Sequence, residues 1–145
     1  MPAQTADGTI LMLDAEQLAN GKNFAAVTTV LPSGRLQTQL IWVHVEDGQI
    51  VLNTEVHRVK YLNVERDPRI TVLIRDEQDP YRYAEIRGPV SRTDTGDQAR
   101  QQLDGLARKY TGSDYPPEQI KSERVILRIT PERQTFIDQS KGVAD

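Results

Sequence analysis

From residue 24 onward, apolar and polar positions alternate in short runs with the two-residue period of half-buried strands, and the runs stop where turn residues cluster. Residues 24–30 (FAAVTTV) are apolar and β-branched and read as a strand, closed by the turn Leu31-Pro32-Ser33-Gly34. Residues 35–45 (RLQTQLIWVHV) read as one long strand. Leu36, Thr38, Leu40, Trp42 and His44 share one face; Gln37, Gln39, Ile41, Val43 and Val45 share the other. The faces change character midway, so the first half of this strand has a polar face that lines something. Asp47-Gly48 is a hairpin signal, and 49–54 (QIVLNT) is the returning strand. Runs at 70–74 (ITVLI), 81–91 (YRYAEIRGPVS) and 124–129 (RVILRI) complete a set of six strands. Gly88-Pro89 marks a bulge or an edge in the second of these, and residues 131–137 extend the last one beyond Pro131.

Helical periods fill the gaps. Asp14 is placed to cap a short helix over 15–20 that Gly21 terminates. A second short helix runs to about Arg66 and ends at Asp67-Pro68, because the residue before proline avoids the α region. The strongest helical pattern covers 94–110, with Ala99, Leu103, Leu106, Ala107 and Tyr110 on one stripe. Gly105 weakens that helix by about 1 kcal/mol, so either something packs closely there or the helix is marginal. Residues 76–80 and 111–117 read as loops, 118–122 as a helical turn, and 1–9 and 138–145 as loose tails. Six strands joined by hairpins and short links predict one α+β domain over 1–145, built around an antiparallel barrel that removes the sheet edges.

Composition narrows the function. A chain of 145 residues, 37% hydrophobic and 27% charged, reads as a soluble globular domain. Its net charge of -3 argues against a general nucleic-acid binder but allows a local basic pocket. With no cysteine, disulfides and thiolate chemistry are excluded, and two histidines are too few for an imidazole metal site. The first residues carry neither a basic start nor a long apolar run, so no signal peptide or membrane span is expected and the protein reads as cytoplasmic.

Candidate chemistry concentrates in HRVKYLNVERDPRITVLI, residues 57–74, where an acidic chain places Arg58 and Lys60 at a strand-to-helix junction. Residues two apart in a helix point to different sides. The two cations converge only if Arg58 lies in an extended lead-in and Lys60 in the first turn. There they would join the free N–H groups of the helix terminus in holding a phosphate; otherwise they are ordinary surface charges. Tyr81 and Tyr83 share a strand face and either stack on a ring or pack on the barrel. Trp42 reads as a core or interface anchor, His44 as a structural histidine, and His57 as a neighbour of the basic pair. Asp76, Glu77 and Asp79 read as loop charge. No serine–histidine–acid set, GxGxxG loop or Walker pattern occurs, and no catalytic residue is assigned. An enzyme of this kind would leave the hard chemistry to a bound cofactor.

The order strand, Gly-Arg turn, strand, hairpin, strand, R-x-K-x-x-N, R-D-P-R and β-branched strand resembles the split β-barrel flavin and deazaflavin oxidoreductases, the pyridoxamine 5′-phosphate oxidase superfamily. RVKYLNVERDPRITVLI with PYRYAEIRG is most similar to the actinobacterial branch that binds the deazaflavin coenzyme F-420. The resemblance spans about residues 20 to 137 and implies a six-stranded antiparallel split β-barrel with peripheral helices. By position it implies that Arg58 and Lys60 hold the cofactor phosphate and that Asn63 serves binding or structure. It further implies that Gln39, Leu40, Ile41, Asn53 and Thr54 run along the tricyclic ring, and that Tyr83 lies near the cleft facing a partner subunit. It implies a homodimer with clefts at the subunit interface, to which Ile41, Trp42 and Val43 could contribute. The implied activity is hydride transfer between F-420 and an unsaturated small molecule, without metal, nucleic acid or membrane. The alternatives are an FMN-dependent oxidase or reductase of the same superfamily and a non-catalytic flavin or deazaflavin carrier. The tail PERQTFIDQSKGVAD lacks the arginine-and-histidine ending of true pyridoxamine-phosphate oxidases.

Overall fold

Turn chemistry and β-branched runs shape most of the chain. The structure, a computed structural model, describes residues 4–7 and 10–139. In chain order the elements are β1 (Gln4–Asp7), α1 (Leu13–Asn20), β2 (Phe24–Val30), β3 (Leu36–Trp42), β4 (His44–Glu46) and β5 (Gln49–Glu55). Then come α2 (Val59–Arg66), β6 (Arg69–Asp76), β7 (Asp79–Asp94), α3 (Asp97–Thr111), a 3-10 turn (Pro117–Gln119), β8 (Arg124–Ile129) and β9 (Arg133–Asp138). All pairings are antiparallel and follow the path β3-β2-β6-β7-β8-β5-β4, with β9 on β7 and β1 on β9.

β3 and β4 are consecutive in the chain yet stand at opposite ends of that path. The sheet therefore curls until its two ends meet at Val43. β7 is the second joint. Its first half lies between β6 and β9, and its second half pairs with β8 from Val90 onward, with a register shift between Val90 and Arg92. Gly88 permits the crossing, because a Cβ there would run into the Thr130 carbonyl. Leu18, Ile50, Leu52, Ile74, Ile86 and Leu127 form the core that the curled sheet encloses with α1. α3 covers the other side of β5 and β8 through Ala99, Val51 and Ile126, which explains why those strands are buried on both faces.

Several expectations are corrected. Nine strands, not six, are present among the described residues. The strand expected over 35–45 is cut at Val43, because α3 takes that residue's backbone out of the ladder. The Val43 N–H donates to the Tyr110 hydroxyl at 3.1 Å, and its carbonyl accepts from Lys109 Nζ at 2.7 Å. Residues 131–137 do not prolong β8; the chain turns at Pro131 and β9 pairs with β7 instead. Of the expected tails, Gln4–Asp7 pairs with β9 and Asp138 ends β9, while 1–3, 8–9 and 140–145 lie outside the described residues. Asp94 closes β7 and does not start α3, which begins after Gly96 at φ 73°. Asp14 sits inside α1, whose N-cap is Met12 with no side-chain cap. The loop 76–80 shrinks to a two-residue turn, and the helical turn near 118–122 is Pro117–Gln119. A Cβ added at Gly105 would meet nothing within 4 Å, so no close packing accounts for the glycine.

Candidate cofactor site

A cleft of about 540 Å³ opens where the end of β3, the end of β5, the start of α2 and the flank of α3 converge. That volume suits a small-molecule or cofactor site. Gln39, Leu40 and Ile41 reach it from β3, Asn53 and Thr54 from β5, and Arg58 and Lys60 from the α2 junction. Arg58 is the N-cap of α2 with extended backbone (φ -72°, ψ 147°), and Lys60 lies in the first turn. The geometric condition for their convergence is met. No acid occupies that first turn, and none of the side chains lining the cleft is acidic.

Among the described residues, neither Arg58 nor Lys60 has an ion-pair partner. Burial lowers the Lys60 pKa, and repulsion from Arg58 and Arg124 lowers it further. An anion would relieve all three penalties. Arg124, by contrast, has an acidic partner, although burial still lowers its pKa. Its Nε donates to Asn53 Oδ1 at 2.8 Å and its Nη1 to Glu55 Oε1 at 3.1 Å. Glu55 is 1% exposed and also accepts the backbone N–H groups of Lys121 (2.9 Å) and Ser122 (2.7 Å). Burial pushes its carboxyl up, but those donors and Arg124 outweigh burial, leaving the pKa below the ordinary value. The Arg58 N–H donates to the Glu55 carbonyl at 3.0 Å, so one residue braces both the Arg58 junction and the Arg124 wall.

Seven of the nine residues singled out from the sequence line this cleft: Gln39, Leu40, Ile41, Asn53, Thr54, Arg58 and Lys60. Asn63 does not. It is 1% exposed, donates to Thr29 Oγ1 at 3.0 Å and accepts from Arg66 Nη2 at 3.0 Å, which clamps α2 onto β2. Tyr83 lies on β7, in register with Arg75 and Ile137, outside the cleft of the single chain. His57 turns away to Ser122 Oγ (2.5 Å) and Glu55 (3.4 Å). His44 meets Lys109 Nζ at 3.2 Å, and burial followed by that ammonium lowers its pKa. Burial brings Lys109 itself down to about 8. Trp42 is a wall of the cleft, stacked on Tyr110.

The sequence reading missed Arg124, Tyr115, Phe24, Leu103 and Leu106. Arg124 was legible only through strand pairing, which sets it opposite Glu55. No metal-binding group of acids and histidines occurs among the described residues, and no helix there is long and apolar enough to cross a membrane.

The pattern that describes the pyridoxamine 5′-phosphate oxidase family matches residues 14–138. This chain belongs to that family. Among curated proteins, none matches it. Solved structures share the architecture. A protein named F-420 reductase is 27% identical, over 82% of this chain and 94% of its own, with a TM-score of 0.73. A conserved hypothetical protein of Mycobacterium tuberculosis, Rv2991, is 25% identical, over 94% of this chain and 89% of its own, with a TM-score of 0.71. General Stress Protein 26 of Bacillus anthracis, 16% identical over 86% of this chain and 91% of its own (TM-score 0.62), shares the fold. The cleft at the α2 junction thus belongs to a pyridoxamine 5′-phosphate oxidase-family barrel.

Proposed function

We propose that this chain is an oxidoreductase that binds coenzyme F-420 and moves a hydride between it and an unsaturated small molecule. The observation that carries the reading is the pair of unpartnered cations, Arg58 and Lys60, converging with the α2 N-terminus on a cleft free of acidic side chains. A bound deazaflavin would supply the hydride chemistry. The chain's own residues would do the rest. Arg58, Lys60 and the α2 N–H groups hold the phosphate. The backbone of Gln39, Leu40 and Ile41 lies on β3, the end of the sheet path, so half of its polar groups are free to meet a ring edge. Asn53 and Thr54 flank that ring from β5, and Leu103 and Leu106 exclude water.

A second copy completes the site in this reading. Leu36 and Leu40 on β3 are 68% and 75% exposed, an apolar edge suited to burial against a partner. Tyr83 and Asn63 would then act through the dimer and through α2 respectively. The resemblance to a protein named F-420 reductase supports the deazaflavin. Membership in the pyridoxamine 5′-phosphate oxidase family keeps FMN as the second reading.

Parallel titrations with F-420 and FMN test it. The expected result is tight binding of F-420, seen as quenching of deazaflavin fluorescence, with weaker FMN binding. Protein that binds FMN tightly and ignores F-420 favours the second reading. Binding of F-420 without turnover of any quinone, enone or tetrapyrrole would identify a carrier.

A further inference from the structure

The cleft has an aromatic end beyond the phosphate arm. Trp42 and Tyr115 line it with their rings nearly perpendicular, 83° between planes and 6.2 Å between centroids. Tyr110 covers one face of Trp42, stacked at 5.2 Å and 5°. The Arg124 guanidinium lies over the Tyr115 ring at 5.4 Å. Two aromatic planes at right angles make a corner. A flat conjugated ligand can lay its face on one ring and its edge on the other, the two arrangements that aromatic quadrupoles favour.

This corner is built rigidly. The Tyr115 N–H donates to Asp104 Oδ1 at 3.1 Å and its carbonyl accepts from Arg100 Nη2 at 3.0 Å, while Arg100 and Asp104 pair with each other at 3.2 Å. Trp42 adjoins Val43, whose backbone is held by Tyr110 and Lys109. Little conformational freedom is left to lose on binding. Two donors remain without partners among the described residues: the Tyr115 hydroxyl, and Nη2 of Arg124, whose Nε and Nη1 are taken by Asn53 and Glu55. A neutral hydrocarbon filling the corner would desolvate both without satisfying them, which is costly. A carboxylate would satisfy both.

We propose that the Trp42–Tyr115 corner is the acceptor subsite and takes a planar conjugated carboxylate, its ring in the corner and its oxygens on the Tyr115 hydroxyl and Arg124 Nη2. As an acceptor subsite it rests on the cofactor reading above; as a carboxylate site it stands alone.

Trp42 is the single tryptophan of the chain, so its fluorescence reports directly on the corner. The probes are 2-naphthoate and its uncharged counterpart 2-naphthamide, titrated into the wild-type protein, Tyr115→Leu, Tyr115→Phe and Lys60→Ala. The expected result is quenching by 2-naphthoate at about tenfold lower concentration than by 2-naphthamide, as for a charge-assisted contact. Tyr115→Leu should weaken naphthoate by about tenfold, through loss of ring and hydroxyl together. Tyr115→Phe keeps the ring and should narrow the preference for naphthoate over naphthamide. Lys60→Ala should leave naphthoate binding close to wild type while weakening F-420 or FMN. Equal binding of the two probes, or unchanged naphthoate binding in both Tyr115 variants, overturns the proposal. So does a loss in Lys60→Ala as large as that in Tyr115→Leu, because the carboxylate would then sit at the phosphate arm. If naphthoate behaves as expected and neither F-420 nor FMN binds, the carboxylate site is supported and the cofactor reading falls.

Discussion

Arg128 and the Arg58–Lys60 pair are cations of one barrel handled in opposite ways. Arg128 is 5% exposed, and its Nε donates to Asp94 Oδ2 at 2.6 Å and its Nη1 to Glu46 Oε1 at 3.0 Å. Those contacts tie β8 to the end of β7 and to β4. The Arg128 hydrogen bond holds the Asp94 carboxyl below its usual range, against the opposing effect of burial. Among the described residues Arg58 and Lys60 have no such acids, and Lys60 is destabilised as a cation by burial and by its own neighbours. A charge that serves the fold is neutralised inside the fold. A charge left unbalanced in a concave site is available to a ligand.

Substitutions at the two places should therefore behave differently. The largest effect is expected at Arg128. Arg128→Ala leaves Glu46 without its cation and Asp94 with Arg92 alone, and should cost about 2 kcal/mol or more in urea unfolding; a loss below about 1 kcal/mol would make that cluster ornamental. Glu55, between the two extremes, should show itself by pH. Its folded pKa lies below its unfolded one, so its stabilisation is present above the ordinary carboxylate range and lost as pH falls through the depressed value. Unfolding measured across acid pH should show that loss in the wild type and a flatter profile in Glu55→Gln. Gly105→Ala should raise stability by about 0.5–1 kcal/mol, since nothing occupies the space its Cβ would take. The smallest effect on stability belongs to Arg58→Ala and Lys60→Ala, each within about 0.5 kcal/mol of wild type or slightly above it. Thermal unfolding of the two variants that showed a loss as large as at Arg128 would erase the contrast.

Much of this was legible in the residues because it is local. Alternation and turn chemistry located β2, β5, β6 and β8, and Asp67-Pro68 ended α2 where expected. Arg58 and Lys60 were readable from their place at a strand-to-helix junction, whereas Gln39, Leu40, Ile41, Asn53 and Thr54 were singled out through the family resemblance, the pattern itself marking only a polar face on β3. What was hidden is long-range. The cut at Val43 depends on Tyr110 and Lys109, more than sixty residues away along the chain. β9 takes its place on an edge of β7 and in turn offers an edge to β1, and no short window contains both partners of either pairing. Arg124 and Tyr115 gain their places from the β5–β8 register and from α3, so neither carried a local mark. Asn63 was legible as a special position, and its buried contact with Thr29 shows a structural task there.

Whether Arg58 and Lys60 hold an anionic cofactor end is decided by calorimetric titration of F-420 into wild type, Lys60→Ala, Lys60→Arg and Arg58→Ala, across neutral to alkaline pH. Binding to a protonated lysine is present below its pKa and lost above it, and the free-protein Lys60 pKa is lowered. Lys60→Ala should lose about 1.5–3 kcal/mol of affinity, wild-type affinity should fall at alkaline pH, and Lys60→Arg should not share that fall. Wild-type affinity in Lys60→Ala, together with an unchanged Arg58→Ala, would contradict that role for the pair.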